Sequence, residues 1–147
     1  MPTELLDPEK IRQREQLQRA SSMAMAAILI LLLFILGAQP FAVGLFPEPW
    51  DKLAHFLMFS LLAGLVWIGN DGRRPMWGVL AIAAVGAADE LHQRNLPGRS
   101  ADVMDFLTDV IAAVSTVITM SYLRRKRRKQ PDNGNGPKPA KAAVSGD

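Results

Sequence analysis

The chain has no cysteine. That excludes a disulfide-stapled secreted domain and any metal site built on thiolates. It has only two histidines, His55 and His92, and one tyrosine, Tyr122. No HExxH pair, no glycine-rich phosphate loop and no nucleophilic serine motif is present, so the signatures of zinc proteases, nucleotide-binding enzymes and serine hydrolases are missing. Ser100 stands beside Arg99, but no base is fixed next to it. Charge is scarce where most of the residues are. Of the 17 Lys/Arg and 14 Asp/Glu, residues 21–123 carry only 5 and 8, a net of −3, while the two ends carry a net of +6. The cations are not spread over a folded surface, so nucleic acid is not the expected partner. A length of 147 residues allows one domain.

What the middle has instead is long apolar runs. Ser21 to Ala38 contains no ionisable residue, and about 20 apolar residues cross a bilayer as a helix. Its apolar stretch exceeds the 7–15 residues or so of a signal peptide, and a charged segment precedes it, which predicts a retained span. Leu53 to Gly69 contains one ionisable residue, His55. Pro75 to Ala88 contains none, and Val103 to Leu123 contains only Asp105 and Asp109. The third run is short and closes the gap only if its helix continues through Asp89, Glu90 and Gln93. The expected fold is all-α, a four-transmembrane-helix bundle occupying residues 21–123. It is preceded by a charged cytoplasmic segment (1–20) and followed by a basic, disordered cytoplasmic tail (124–147).

Orientation follows from the basic residues near the ends of the spans. Arg19, Arg73, Arg74 and the run Arg124-Arg125-Lys126-Arg127-Arg128-Lys129 share one side; Lys52, Arg94 and Arg99 lie on the other. Both termini and the Asn70-Asp71-Gly72 turn are therefore expected on the cytoplasmic side. Trp67, Trp77 and Tyr122 would form the inner aromatic belt and Trp50 the outer one. The basic run is expected to attract anionic lipid.

The outer layer then gathers Glu48, Asp51, Asp89, Glu90, Asp102, Asp105 and Asp109 against three cations. An excess of that size near lipid predicts partial protonation, a bound cation, or both. Asp51 and His55 are four apart and share a helix face; so do Glu90 and Gln93, three apart, with Gly86 on the same face. Asp102, Asp105 and Asp109 form a stripe with Ala112 and Thr116 below them. Asp105 and Asp109 would lie in the apolar zone, where a carboxylate costs several kcal/mol unless paired, protonated or solvated. They should face the interior. Ala83 and Ala87 on the third helix, and Ala112, Ala113, Ser115 and Thr119 on the fourth, are the expected close contacts between helices. His92, Arg94 and Asp89 are read as helix-end residues pointing away from the Glu90 face into water.

These strings carry a resemblance. Asp51-Lys52-Leu53-Ala54-His55-Phe56, then Asp89-Glu90-Leu91-His92-Gln93, then Leu96-Pro97-Gly98-Arg99-Ser100-Ala101-Asp102-Val103-Met104-Asp105, with Asp109 four further on, resemble the VanZ-like family of small bacterial membrane proteins. Its best-known member is associated with low-level teicoplanin resistance. The resemblance covers roughly residues 50–115. It implies that Asp51, Lys52, His55, Glu90, Gln93, Arg99, Asp105 and Asp109 are the polar positions of interest. Ala112 departs from the glycine usual in that family. The resemblance implies a topology and a place in the cell envelope, but no settled reaction.

The residues support two readings. In the first, an outer polar pocket binds, and modifies, a lipid or lipid-linked envelope precursor. Lys52 and Arg99 would hold an anionic group, His55, Glu90 and Asp105 would transfer protons or act as ligands, and Asp51, Gln93 and Asp109 would help bind and orient. A divalent metal is compatible with His55, Glu90, Asp105 and Asp109, but no cofactor is required by the sequence. In the second, the protein is a non-catalytic binding or assembly partner, and the same residues form a structural lock between helices.

Overall fold

The computed structural model describes residues 7–129. It contains four helices: α1 (Pro8–Gly37), α2 (Trp50–Gly69), α3 (Pro75–Gln93) and α4 (Val103–Lys129), with a short 3₁₀ turn at Pro40–Ala42 between the first two. No strand occurs among the described residues. The disorder expected for 130–147 lies outside them.

Each boundary has a local cause. Asp7 caps α1, its carboxylate accepting from the Glu9 N–H at 3.0 Å, and Pro8 takes the first-turn position where no donor is needed. Pro75 opens α3 in the same way. Between α2 and α3 the chain reverses through Asn70-Asp71-Gly72, with Asp71 and Gly72 at φ of +53° and +57°. A β-carbon at Gly72 would stand 2.6 Å from the Trp67 ring, so only glycine fits this left-handed position. Asp102 caps α4, its side chain accepting from the Met104 N–H at 2.8 Å.

Two expectations about boundaries change. The charged segment and the first span are one unbroken helix of 30 residues, about 45 Å long. No proline or glycine interrupts it before Gly37. Likewise the basic run 124–129 does not begin a tail; it forms the last turns of α4, where cations suit the negative end of the helix dipole.

Three helices, α1, α2 and α4, are long and apolar enough to cross a membrane. Their outward faces carry Leu31, Ile35, Leu57, Leu61, Ile111 and Ile118, all exposed. That much apolar surface is foreign to a soluble monomer and is what lipid would cover. Helix α3 has 19 residues and continues through Asp89, Glu90 and Gln93, and it is not among the helices apolar enough to cross.

Helix α2 is central, packed against α1, α3 and α4. The core holds Ala26, Phe59, Leu62, Ala63, Ile82, Ala112 and Ala113. Small residues bring the helices together, but not all of the expected ones: Ala112 and Ala113 are buried, whereas Ala87 and Thr119 face outward. On α3 the close approach is at Gly86, where a β-carbon would stand 2.8 Å from the Asp109 carboxylate. The rotation of α3 is what places Gly86, rather than Ala87, against α4.

At the basic end of the bundle, Asp71 collects three arginines. Its carboxylate lies 3.2 Å from Arg19 of α1 and 3.3 Å from both Arg73 and Arg124 of α4. Arg124 also donates to the Asp71 carbonyl and lies over the Trp67 ring. One acid in a turn thus ties α1 and α4 to the α2–α3 connection.

Candidate functional site

The opposite end of the bundle holds the polar cluster. It begins on α2, whose first turn carries Asp51 and Lys52, with His55 in the second. Lys52 reaches four carboxylates from one position: Glu48, Asp51, Asp102 and Asp105 each lie 3.4 Å from its Nζ. Asp51 also accepts the Lys52 backbone N–H at 2.8 Å. His55 points the other way, toward α4. Its Nδ1 donates to Asp109 at 3.0 Å, and its Nε2 lies 4.0 Å from Asp105. The ring stacks on Phe59 one turn deeper, which fixes its plane. The expected Asp51–His55 pair is therefore not made; each side chain has a partner elsewhere.

Helix α3 contributes two carboxylates. Ile82, Gly86, Asp89 and Gln93 follow a helical 4–3–4 spacing and are all buried, with Glu90 beside them. Asp89 and Glu90 are 2% and 8% exposed, and Asp109 is fully enclosed. Gln93 donates to Asp89 at 2.9 Å rather than orienting Glu90. Glu90 instead crosses to the start of α4, its Oε2 accepting the Asp102 N–H at 2.7 Å. That bond joins α3 to the α4 cap.

Asp89 thus belongs to the cluster, contrary to the expectation that it faces water. The signal was present: the 82–86–89–93 spacing is as helical as the one through Glu90, and Asp89 and Gln93 are one turn apart. His92 also differs from expectation. It is half-buried, with its ring edge against Phe34 of α1 at a centroid distance of 5.3 Å. Arg94 is exposed, as expected.

The connection from α3 to α4 carries Arg99 back over the helix ends. Its guanidinium donates to the Gly37 carbonyl at 3.1 Å and toward the Gln93 amide oxygen at 3.5 Å, both neutral acceptors. The first bond satisfies a carbonyl that the end of α1 leaves without a helical partner. Asp102, at the mouth of the site and outside the spans, is held below the usual carboxylate range because the Met104 N–H donates to it, with Lys52 adding to the effect.

These groups border a cavity of about 540 Å³. One wall is polar, with His55, Asp89, Gln93 and Arg99. The other is apolar, with Leu29, Leu33 and Leu36 of α1 and Phe41 and Phe46 of the connection that follows it. Of the sequence-derived site residues, Asp51, His55, Gln93, Arg99 and Asp105 line this cavity. Lys52, Glu90 and Asp109 stand behind that wall, bonded to its members.

Neither a curated protein nor a solved structure matches the chain. A family model does, and its match spans residues 6–124, every residue of the polar cluster included. The strings around His55, Glu90 and Arg99 therefore belong to one continuous family pattern, and the chain is a member of the VanZ/LLP1 family.

Proposed function

We propose that the protein is a cell-envelope membrane protein whose polar pocket binds, and chemically alters, a lipid or lipid-linked precursor bearing an anionic head. The observation that carries this reading is the two-sided cavity. An amphiphile needs a charged contact and an apolar groove that meet, and here Arg99 meets the α1 leucines. Arg99 spends its hydrogen bonds on neutral acceptors, which an oxyanion would replace with a stronger, charge-assisted pair. His55, held by Asp109, is positioned to move a proton. A role in glycopeptide tolerance is part of the proposal.

The proposed setting is the bacterial cytoplasmic membrane, with α3 as the fourth span, both termini in the cytoplasm and the pocket outward. The basic ends support this orientation, since Arg19, Arg73, Arg74 and the 124–129 run share one end of the bundle. Reporter fusions after Arg74 and after Arg128 should read as cytoplasmic. A fusion in the 39–50 connection should read as external, and an external signal at Arg74 would overturn the orientation.

A specific observation favours a second reading. Lys52 with its four carboxylates, His55 with Asp109 and Glu90 with the α4 cap also form a lock that joins helices. Arg99→Ala separates the two. Under the pocket reading, purified protein loses retention of phosphatidylglycerol or a polyprenyl phosphate, detected by native mass spectrometry, while its melting temperature changes little. Under the lock reading, lipid retention is unchanged and melting falls. Equal retention by the wild type and Arg99→Ala would sink the pocket reading.

A further inference from the structure

The Lys52 group and the arginines around Asp71 are accounted for by their partners. One feature is not. Three carboxylate oxygens in the polar cluster, Oδ1 of Asp105, Oε1 of Glu90 and Oδ2 of Asp109, are buried and have no hydrogen-bond partner among the described residues; that of Asp105 lies 3.4 Å from the Lys52 ammonium, which leaves the other two unmatched. Asp109 is fully enclosed and Glu90 is 8% exposed. Burying a carboxylate with an unmatched oxygen costs free energy that a stable fold recovers through a proton or a cation.

No side-chain cation among the described residues supplies that match. Lys52 is drawn toward Glu48, Asp51, Asp102 and Asp105, and Arg99 toward Gly37 and Gln93. His55 stands beside the Glu90 and Asp109 side chains, its Nδ1 3.0 Å from the other oxygen of Asp109. One donor atom each from His55, Glu90 and Asp109 lie within 4.8 Å of one another. Donors around a divalent ion at about 2.0–2.2 Å sit about 3–4 Å apart, so rotamer adjustments of under about 1 Å would close the set.

We infer that His55, Glu90 and Asp109 form a binding site for a divalent first-row ion of the manganese or zinc class. The mixed donors select this class: one imidazole disfavours calcium and magnesium, and two carboxylates without a thiolate disfavour copper(I). The surroundings already have an outer shell. Glu90 is oriented by the Asp102 N–H, and Phe59 fixes the His55 plane. Gly86 leaves the room that the Asp109 carboxylate occupies. Asp105, the fourth ligand allowed by the sequence, is set aside because it faces Lys52 at 3.4 Å. The site lies behind the pocket wall. It rests on these three ligands and not on any lipid, so an ion without a lipid, or a lipid without an ion, would separate this inference from the proposed function.

The test uses the full chain in detergent, stripped with EDTA and titrated with Mn²⁺ alone. Electron paramagnetic resonance should show one ion per chain with coupling to a single imidazole nitrogen, and Zn²⁺ should displace it. Glu90→Gln and Asp109→Asn should each weaken binding by at least the roughly 10–100-fold that loss of an outer partner costs. Asp71→Asn, at the other end of the bundle, should not. Absence of saturable binding overturns the inference. So does bound Mn²⁺ without nitrogen coupling, or folded Glu90→Gln and Asp109→Asn proteins that bind as the wild type does. Should both variants fail to fold, the nitrogen coupling in the wild type decides alone.

Discussion

The two ends of the bundle mirror each other in charge and differ in depth. At one end a single acid, Asp71, gathers Arg19, Arg73 and Arg124; at the other a single cation, Lys52, gathers Glu48, Asp51, Asp102 and Asp105. Asp71 itself is about a third exposed and lies in a turn. It holds three segments together where water can reach, and nothing charged continues inward from it. The Lys52 knot does continue inward, to His55, Glu90, Asp89 and the fully enclosed Asp109. Surface ion pairs are cheap to keep and contribute little each; enclosed carboxylates are costly to keep. The enclosed carboxylates lie at one end only, the end to which the proposed function assigns binding.

That contrast can be broken from the inside outward. The largest stability effect is expected for Phe59→Ala, which empties a fully buried position under His55 and should cost about 3–5 kcal/mol by thermal or denaturant unfolding in detergent. Gly86→Val comes next, at about 1–3 kcal/mol, because its side chain would strike the Asp109 carboxylate. Gly78→Ala is the control: its β-carbon would meet only Val66, at an ordinary 3.7 Å, and stability should hold.

Lys52→Met sharpens the comparison directly. It leaves four acids facing one another, so melting should drop near neutral pH, and the deficit should shrink as acid protonates them. An equal deficit at pH 4 and pH 7 would mean that Lys52 acts through packing. Asp71→Asn should cost less, about 1 kcal/mol for the whole knot, with the loss fading in high salt. Asn keeps the left-handed turn conformation, so the change reports on charge.

The smallest effect concerns Asp102. Its carboxyl is held low in the folded state, so its stabilisation is present above the ordinary carboxylate range and is lost as pH falls through the depressed folded value. Asp102→Asn should remove that acid-side loss and leave a flatter profile of melting temperature below about pH 4. A wild-type profile as flat as the variant's would show that the Met104 bond does not favour the charged form.

Much of this was legible in the sequence, for physical reasons. Ser21 to Ala38 and Leu53 to Gly69 read as spans because an apolar run of that length has few other fates. The Asp102–Asp105–Asp109 stripe read as inward because three- and four-residue spacing fixes one face of a helix. What the sequence withheld depends on contacts far apart along the chain. His55 could have paired with Asp51 one turn away; it pairs with Asp109 instead, because α2 and α4 pack face to face. Asp89 and Glu90 are neighbours, about 100° apart around α3, and only packing against both α2 and α4 shows that the two are buried together. The Asp71 knot was invisible for the same reason, since Arg19 and Arg124 meet it from the two ends of the chain.

Helix α1 is pinned twice, at Arg19 by Asp71 and at Gly37 by Arg99. Some 18 residues of unbroken helix, about 27 Å, separate the pins, and a helix is stiff along its axis. It is a connecting rod between the two faces of the bundle. If Arg99 swings toward an anion, the rod loses its fastening at one end and keeps it at the other.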